Sequence, residues 1–378
     1  MTIPYGRQSV DERDVDAVIE TLRSAWLTQG PAVDSFEEAF AEACDAPFAV
    51  TFSSGTAALH GAAFAAGLGP GDELVTSALT FSASANCGAY LGATPRFADI
   101  DPATWNVTAE SLAGELTDST RAVVPVHFAG LPAPVEEIRR AVGDGLAIIE
   151  DAAHALGADV AGVPIGSCRF SDMAMFSLHP LKTITTGEGG VVTTRSEELR
   201  DRLREFRNHG FALEPADSSQ GGWYREQRVL GFNYRLSDIH ASLGHSQLGK
   251  LRSFVDRRNQ VAARYRSLLA DIPELALPPE PPEGVTHAYH LFVVLHRDGE
   301  PGRRKLYDGL RERGILAQVH YIPVYWHPYY RETFGYERGL CPAAEEYYAG
   351  CLSIPCFPAL TDEQQDEVVA AIREVLTS

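Results

Sequence analysis

The sequence predicts an α/β fold in which a mostly parallel sheet lies between layers of helices. Strand-like apolar runs alternate with helix-like stretches over the first half of the chain; the runs are ELVTS, TPRFADI, RAVVPVHF, LAIIED, MAMFSL and GGVVTT. This alternation is typical of parallel sheets covered on both faces. Long Arg- and Glu-rich segments follow over 195–270, and the Pro cluster at 277–284 precedes a smaller set of elements. We therefore predict a large domain with an N-terminal arm over 1–250 and a smaller C-terminal α+β domain over 251–378.

The first and last helices have recognisable start signals. Ser9 and Glu12 have the spacing of a capping box, and Thr361 and Gln364 have the same spacing near the C-terminus. We expect one helix to begin after Ser9 and the final helix to begin after Thr361.

The composition excludes several classes of protein. The 378 residues are 45% hydrophobic and 22% charged, which are globular values and exclude a disordered chain. The formal net charge of -19 repels phosphate backbones and anionic lipid, so we expect neither nucleic acid nor membrane as a partner. Apolar stretches are short and interrupted, which gives no support for a membrane span.

The six cysteines predict free thiols rather than disulfides or a metal site. The cysteines form no C-x-x-C pair, and the sequence has no metal-ligand spacing such as H-E-x-x-H. The N-terminus has no leader-like apolar segment. We therefore expect a cytoplasmic protein with buried, unpaired cysteines and no bound metal.

The carboxyl ends of three predicted strands carry candidate functional residues, which matters because open parallel sheets bind ligands at that edge. In FSSGTAALH, residues Ser54, Gly55 and Thr56 open a helix and offer backbone N–H groups and hydroxyls to a phosphate. The alternative is an ordinary helix cap, since Ser and Thr are common there.

The second strand end delivers Asp151 to the sheet edge, with His154 three residues later. A carboxylate after so apolar a strand needs a cationic or hydrogen-bonding partner, and a protonated pyridine nitrogen would serve. Alternatively, Asp151 caps the next helix and His154 is a core residue.

The third strand end leads to Lys182, in FSLHPLKTITTGEGG. The chain has only three lysines, and Lys250 and Lys305 lie in charged helical segments where a solvated side chain is expected. Lys182 instead lies on a Gly-rich turn between two strands. Because the dinucleotide and P-loop motifs are absent, a helix end, an aspartate and this lysine together indicate a pyridoxal 5'-phosphate (PLP) site.

The chain resembles the fold-type I sugar nucleotide aminotransferases of the DegT class over nearly its whole length. The motifs that carry the resemblance are AWLTQG, SSGTAAL, TFSASAN, EDAAHALG, FSLHPLKTITTGEGG, GFNYRLSDIHASLG and GILAQVHYIPVY. The HP-x-K-x-x-T and QVHY-x-P runs are closest to the pseudaminic acid branch of that family. Some relatives are dehydratases in which His replaces the lysine, but Lys182 is retained here.

The resemblance implies roles for individual residues. It makes Lys182 the catalytic Schiff-base lysine, and it assigns cofactor contacts to Ser54, Gly55, Thr56, Phe81, Asp151, His154, Ser177 and Asn233. It assigns sugar nucleotide contacts to Tyr5, Trp26, Leu27, Thr28, His320 and Tyr321. Asn233 matches a phosphate contact made by the partner subunit, which implies a homodimer with shared active sites.

The implied reaction is transfer of an amino group from L-glutamate to C4 of a UDP-2-acetamido-2,6-dideoxy-4-hexulose. A dTDP- or GDP-linked ketosugar of antibiotic or O-antigen biosynthesis is the alternative substrate, and the insertion at 212–229 is where specificity is expected to differ. A cofactor-binding regulator is a rival of another class, but the net charge of -19 and the lack of a spare basic module argue against it.

Overall fold

The computed structural model describes residues 2–214 and 218–377, and within them the chain forms alternating helices and strands. The strands are β1 (Ile3–Pro4), β2 (Phe48–Phe52), β3 (Glu73–Ser77), β4 (Thr94–Ala98), β5 (Thr120–Val124), β6 (Ala147–Asp151), β7 (Asp159–Val160), β8 (Val163–Pro164), β9 (Met173–Ser177), β10 (Gly190–Thr194), β11 (Leu275–Ala276), β12 (Val285–Thr286), β13 (Phe292–His296), β14 (Ile315–Leu316) and β15 (Cys351–Ile354). The α-helices are α1 (Glu12–Arg23), α2 (Pro31–Ala43), α3 (Gly55–Ala65), α4 (Ala83–Ala89), α5 (Ala109–Ala113), α6 (Val135–Val142), α7 (Glu197–Arg207), α8 (Asp238–Leu248), α9 (Leu251–Leu269), α10 (Glu300–Glu312), α11 (Pro328–Phe334), α12 (Pro342–Gly350) and α13 (Asp362–Thr377).

A seven-stranded sheet organises the large N-terminal part, with the strand order β2-β10-β9-β6-β5-β3-β4. Six of these strands run in one direction, and only β10 is antiparallel to its neighbours β9 and β2. The segment from 178 to 189 is short enough to return the chain as a hairpin. The parallel connections are longer: most pass through a helix, and the one from β6 to β9 passes through β7 and β8. The predicted α/β class with a mostly parallel sheet is confirmed.

Both faces of this sheet are buried. In β9, Met173 and Met175 belong to the same apolar cluster as α3, whereas Ala174 and Phe176 belong to the cluster around Phe36 of α2. Side chains alternate between the two faces of a strand. The near-continuous apolar character of these runs therefore reflects a helix layer on each side.

The C-terminal part has its own apolar core and a small antiparallel sheet, β11-β13-β15. Helices α9, α10 and α13 pack on this sheet and contribute to the core. The N-terminal strand β1 pairs with β14 in a separate two-stranded sheet, in which Ile3 is opposite Ile315. Ile3 is 2% exposed and belongs to the C-terminal apolar core. The domain boundary after residue 250 stays a prediction.

Of the two expected capping boxes, the first is wrong and the second is confirmed. The first helix is capped by Asp11, whose carboxylate accepts from the N–H of Asp14 while the Asp14 carboxylate accepts from the N–H of Asp11. This pair displaces Ser9 and Glu12 as the capping box. The box at Thr361 and Gln364 forms as expected.

Lys250 is not the solvated side chain that its sequence context indicates. Its amine forms ion pairs with Asp11 and Asp14, and Asp14 is fully buried. A buried carboxylate needs a cation nearby, so Lys250 is fixed between α8 and α9. Lys305 lies exposed on α10, as expected.

All six cysteines are buried and unpaired, which confirms the expectation of free thiols. Over residues 2–214 and 218–377, the helices are too short or too polar to traverse a bilayer.

Candidate active site

A cavity of about 430 Å³ lies at the carboxyl ends of the parallel strands. Eleven of the residues singled out in the sequence line it: Tyr5, Ser54, Gly55, Thr56, Phe81, Asp151, His154, Ser177, Lys182, His320 and Tyr321. They come from the N-terminal arm, the sheet edge and the C-terminal part. The fold therefore gathers residues that are up to three hundred positions apart in sequence.

The N-terminus of α3 forms one end of the cavity. Ser54 is the N-cap residue: its hydroxyl accepts from the N–H of Ala57 at 3.1 Å and its carbonyl accepts from the N–H of Ala58 at 3.0 Å. The first N–H groups of a helix lack intrahelical acceptors, which leaves those of Gly55 and Thr56 for a ligand. The hydroxyl of Ser177 is adjacent, since a Cβ on Gly55 would lie 3.2 Å from it. This arrangement suits a phosphate group.

Gly190 brings β10 against this helix end. A Cβ at Gly190 would lie 2.4 Å from the carbonyl oxygen of Ser54, a distance that no side chain can occupy. Glycine is thus required at position 190 by the close approach of two backbones. This approach places the end of α3 directly beside β10.

Asp151 ends β6 and is 5% exposed. Its Oδ2 accepts a hydrogen bond of 2.6 Å from the Ser84 hydroxyl, and its Oδ1 accepts one of 3.1 Å from the N–H of Ala153. The Ser84 hydroxyl is 2.7 Å from that of Thr80. Thr80 and Ser84 lie in the motif TFSASAN, but nothing in the sequence marks them as partners of Asp151.

Lys182 lies across the cavity on the turn between β9 and β10. Burial lowers its pKa to about 8; the negative charge of Asp151 acts in the opposite direction, and the buried Arg258 adds to the lowering. The amine therefore loses its proton far more readily than an exposed lysine does. A neutral amine is what attack on an aldehyde requires.

A group of neutral rings forms the wall towards the C-terminal part. The Tyr321 hydroxyl is 3.2 Å from Nε2 of His154, and the His154 ring lies 4.4 Å from that of His290. Burial holds the pKa values of both histidines well below the usual range. Nδ1 of His320 is 2.8 Å from the Ser353 hydroxyl, and burial lowers the pKa of His320 to about 3. These rings offer hydrogen bonds without charge.

His290 was missed by the sequence analysis. It lies in the run HAYH just after the Pro cluster, and nothing in that run marks it as different from His287. Only the packing of the C-terminal part against the sheet edge brings it to the cavity.

Four of the residues singled out in the sequence do not line this cavity. Thr28 pairs with Ser237, and Asn233 pairs with Asn208. Trp26 and Leu27 are 56% and 47% exposed. Asn233 is also exposed.

The insertion at 212–229 lies between Asn208 and Asn233 in the sequence. A hydrogen bond from the N–H of Ala212 to the carbonyl of Glu226 closes its base, and Trp223 near its tip is 83% exposed. Residues 215–217 lie outside the described residues. The insertion therefore extends from the segment that joins Asn208 to Asn233.

The described cavity fits PLP. The end of α3 with the Ser177 hydroxyl suits the phosphate, Asp151 suits a protonated ring nitrogen, and Lys182 suits the aldehyde. The hydrogen bonds to Asp151 and the cap of α3 exist without the cofactor.

The family model described as the DegT/DnrJ/EryC1/StrS aminotransferase family matches residues 8–373. The chain belongs to this family. It is therefore a PLP-dependent sugar aminotransferase. The family that the sequence motifs indicated is confirmed, and so is the cofactor.

Individual relatives match over almost their full length. The chain is 40% identical over 380 residues to the spore coat polysaccharide biosynthesis protein SpsC of Bacillus subtilis, covering 99% of this chain and 97% of that protein. Helicobacter pylori PseC, an aminotransferase involved in the biosynthesis of pseudoaminic acid, has a similar structure with a TM-score of 0.92, 30% identity and complete coverage of both chains. The PLP form of Spr1654 from Streptococcus pneumoniae has a TM-score of 0.92 at 27% identity, covering 99% and 98% of the two chains.

We predict that Ser84→Ala lowers the free energy of unfolding of the apoenzyme by about 1.5–3 kcal/mol, because it removes a donor from a buried carboxylate. Urea unfolding measures this. Ser82→Ala is the matched control, since the Ser82 side chain makes no capping hydrogen bond, and it should change the value by less than about 0.5 kcal/mol. Equal effects of the two variants would contradict the role given to Ser84.

The pKa of Lys182 predicts the pH dependence of cofactor attachment. The rate at which PLP becomes attached to the apoenzyme should rise with pH through a midpoint near 8, because only the neutral amine reacts. Asp151→Asn should move that midpoint downward, since the Asp151 charge raises the pKa. Stopped-flow absorbance over a pH series measures both. A midpoint near the usual lysine value of 10.5, or an upward move in the variant, would refute this account of Lys182.

Proposed function

We propose that the protein transfers an amino group from L-glutamate to C4 of a UDP-2-acetamido-2,6-dideoxy-4-hexulose. The observation that carries the proposal is the meeting of Lys182, Asp151 and the N-terminus of α3 in one cavity. The similarity to PseC, an aminotransferase of pseudoaminic acid biosynthesis, supports this class of sugar. The name of SpsC supports a product destined for a surface polysaccharide.

Lys182 is the proposed catalytic residue. Bound PLP supplies an aldehyde that condenses with amines and a ring that accepts electrons when a C–H bond breaks. The Lys182 amine, once free, removes the proton from the α-carbon of glutamate, and its lowered pKa keeps it able to do so near neutral pH. In the second half of the reaction it delivers a proton at C4 of the sugar.

Asp151 and its donors hold the other end of the cofactor. The Asp151 carboxylate keeps a proton on the ring nitrogen, while Ser84 and Ala153 fix its orientation. Gly55, Thr56 and the Ser54 and Ser177 hydroxyls bind the phosphate. Phe81 and His154 are the proposed contacts to the cofactor ring, and both line the cavity.

The sugar nucleotide is proposed to enter over the outer wall of the cavity. Tyr5, His320 and Tyr321 lie there, and the His320 and Tyr5 rings are 5.2 Å apart. Neutral donors suit a sugar with many hydroxyls. A diphosphate bound to a chain with a net charge of -19 needs such local donors.

We further propose a homodimer in which each site takes residues from both chains. Asn233, Trp26, Leu27 and Thr28 do not line the chain's own cavity, and all four are exposed. Leu230 and Phe232, close to Asn233 in the sequence, are also exposed, at 79% and 37%. Exposed apolar residues at this density favour burial against another chain. A cytoplasmic location is likewise proposed, supported by six unpaired cysteines.

A panel of ketosugars tests the substrate. We expect kcat/KM for the UDP-linked 2-acetamido-4-keto-6-deoxy sugar, with glutamate as donor, to exceed that for dTDP- and GDP-linked ketosugars by at least about tenfold, which is 1.4 kcal/mol of transition-state discrimination. Lys182→Ala serves as the inactive control. A tenfold preference for a dTDP- or GDP-linked sugar would instead establish the alternative substrate.

Complementation tests the shared site. Lys182→Ala and Asn233→Ala chains should each be severely impaired alone, but an isolated heterodimer should regain up to half of the activity. One of its two sites carries Lys182 from one chain and Asn233 from the other. An active Asn233→Ala homodimer, or an inactive heterodimer, would refute a site shared through Asn233.

A further inference from the structure

A second cavity, of about 540 Å³, lies on the opposite side of β6 from the active site. Its volume is within the range of about 300–1,000 Å³ typical of small-molecule sites. The walls are mainly apolar and include Leu131, Val163, Ile165 and Phe170. Glu150, the immediate neighbour of Asp151 in β6, also lines this cavity. Successive side chains of a strand face opposite ways, so the two carboxylates serve different cavities.

Glu150 is 4% exposed and has two hydrogen-bond donors. Nε2 of His127 lies 2.7 Å from its Oε2, and the Ser171 hydroxyl donates to its Oε1. His127 is fully buried. These contacts fix the position of the carboxylate but do not by themselves determine whether its charge is balanced.

The hydrogen bonds of His127 show that it does not balance that charge. Its Nδ1 accepts a hydrogen bond of 2.8 Å from the N–H of Ala133, so Nδ1 carries no proton. The single ring proton is then on Nε2 and is donated to Glu150. His127 is therefore a neutral donor, although its distance to Glu150 is that of an ion pair.

No arginine or lysine in the described ranges forms an ion pair with Glu150 either. Among the described residues that line the cavity, Arg169 is the one with a basic side chain. Its guanidinium forms an ion pair of 2.8 Å with the carboxylate of Asp45. The other charged groups of the lining are acidic: Asp101, Glu136 and Glu137. An isolated buried carboxylate is costly unless a cation accompanies it.

We propose that this second cavity binds a small organic ammonium ion with an apolar body. The N–H of the ammonium donates to a remaining lone pair of Glu150, and the apolar body lies against the aliphatic and aromatic walls. Both halves of this chemistry are present in the lining, which is mainly apolar and includes the buried carboxylate of Glu150. The proposal does not depend on the identity of the sugar substrate.

The probe must not react with PLP, so a tertiary ammonium is required. We choose N,N-dimethyl-2-phenylethylammonium, which carries one N–H and cannot condense with an aldehyde. Its neutral counterpart of similar shape is 2-methyl-4-phenylbutan-2-ol. Titration calorimetry of the PLP-loaded enzyme should show one ammonium per chain, bound at least about tenfold more tightly than the alcohol, as expected for a hydrogen bond to a charged group.

Glu150→Gln keeps the shape of the side chain and removes its charge. It should weaken ammonium binding about tenfold and leave alcohol binding unchanged. Glu137→Gln makes the same change in charge at an exposed position of the lining and should have less than about a threefold effect, because exposed charges are screened. Lys182→Ala should bind the ammonium as the unchanged enzyme does, which separates this cavity from the active site.

A second variant covers the case in which Glu150→Gln does not fold. Val163→Phe narrows the cavity from its wall and should abolish binding of both probes. The proposal is overturned if the ammonium and the alcohol bind equally, if neither binds, or if Val163→Phe leaves binding intact. A change of oligomeric state in Glu150→Gln would also overturn it, since that would assign the cavity to a contact between chains.

Discussion

The buried carboxylate of Asp151 is the group on which the site depends. At 5% exposure it must be satisfied by neighbours, and the fold supplies Ser84, the N–H of Ala153 and the opposing charge of Lys182. Asp151 reaches the cavity because it is the last residue of the parallel strand β6. Six parallel strands with helices on both faces provide that edge, and the hairpin between β9 and β10 brings Lys182 back across it.

Because the chain is strongly acidic, the binding of an anion depends on local hydrogen-bond donors in the cavity. With a net charge of -19 the protein repels anions at long range, so an anionic cofactor needs local donors, and the N-terminus of α3 and the adjacent hydroxyls are suited to that task. The close contact of Gly190 with Ser54 keeps that helix end in position. Neutral histidines complete the wall, because burial lowers the pKa values of His154 and His320. The cavity can thereby take up anions without a cluster of basic residues.

Features that have a local signal in the sequence could be predicted. Contacts that form only when distant elements pack together could not. Apolar alternation predicted the sheet, and the scarcity of lysine singled out Lys182. Lys250 was misjudged because its partner Asp14 lies more than two hundred residues away and comes near only when α1 packs on α8. His290 escaped notice for the same reason. The roles of the individual site residues and the domain boundary remain predictions.

The most direct test of the central claim is the location of the cofactor on the chain. The PLP-loaded protein is reduced with borohydride, digested and mapped by mass spectrometry. The account predicts one covalent adduct, on the peptide that contains Lys182, since this is the only lysine that lines the cavity with Asp151. An adduct on Lys250 or Lys305, or none at all, would contradict the account.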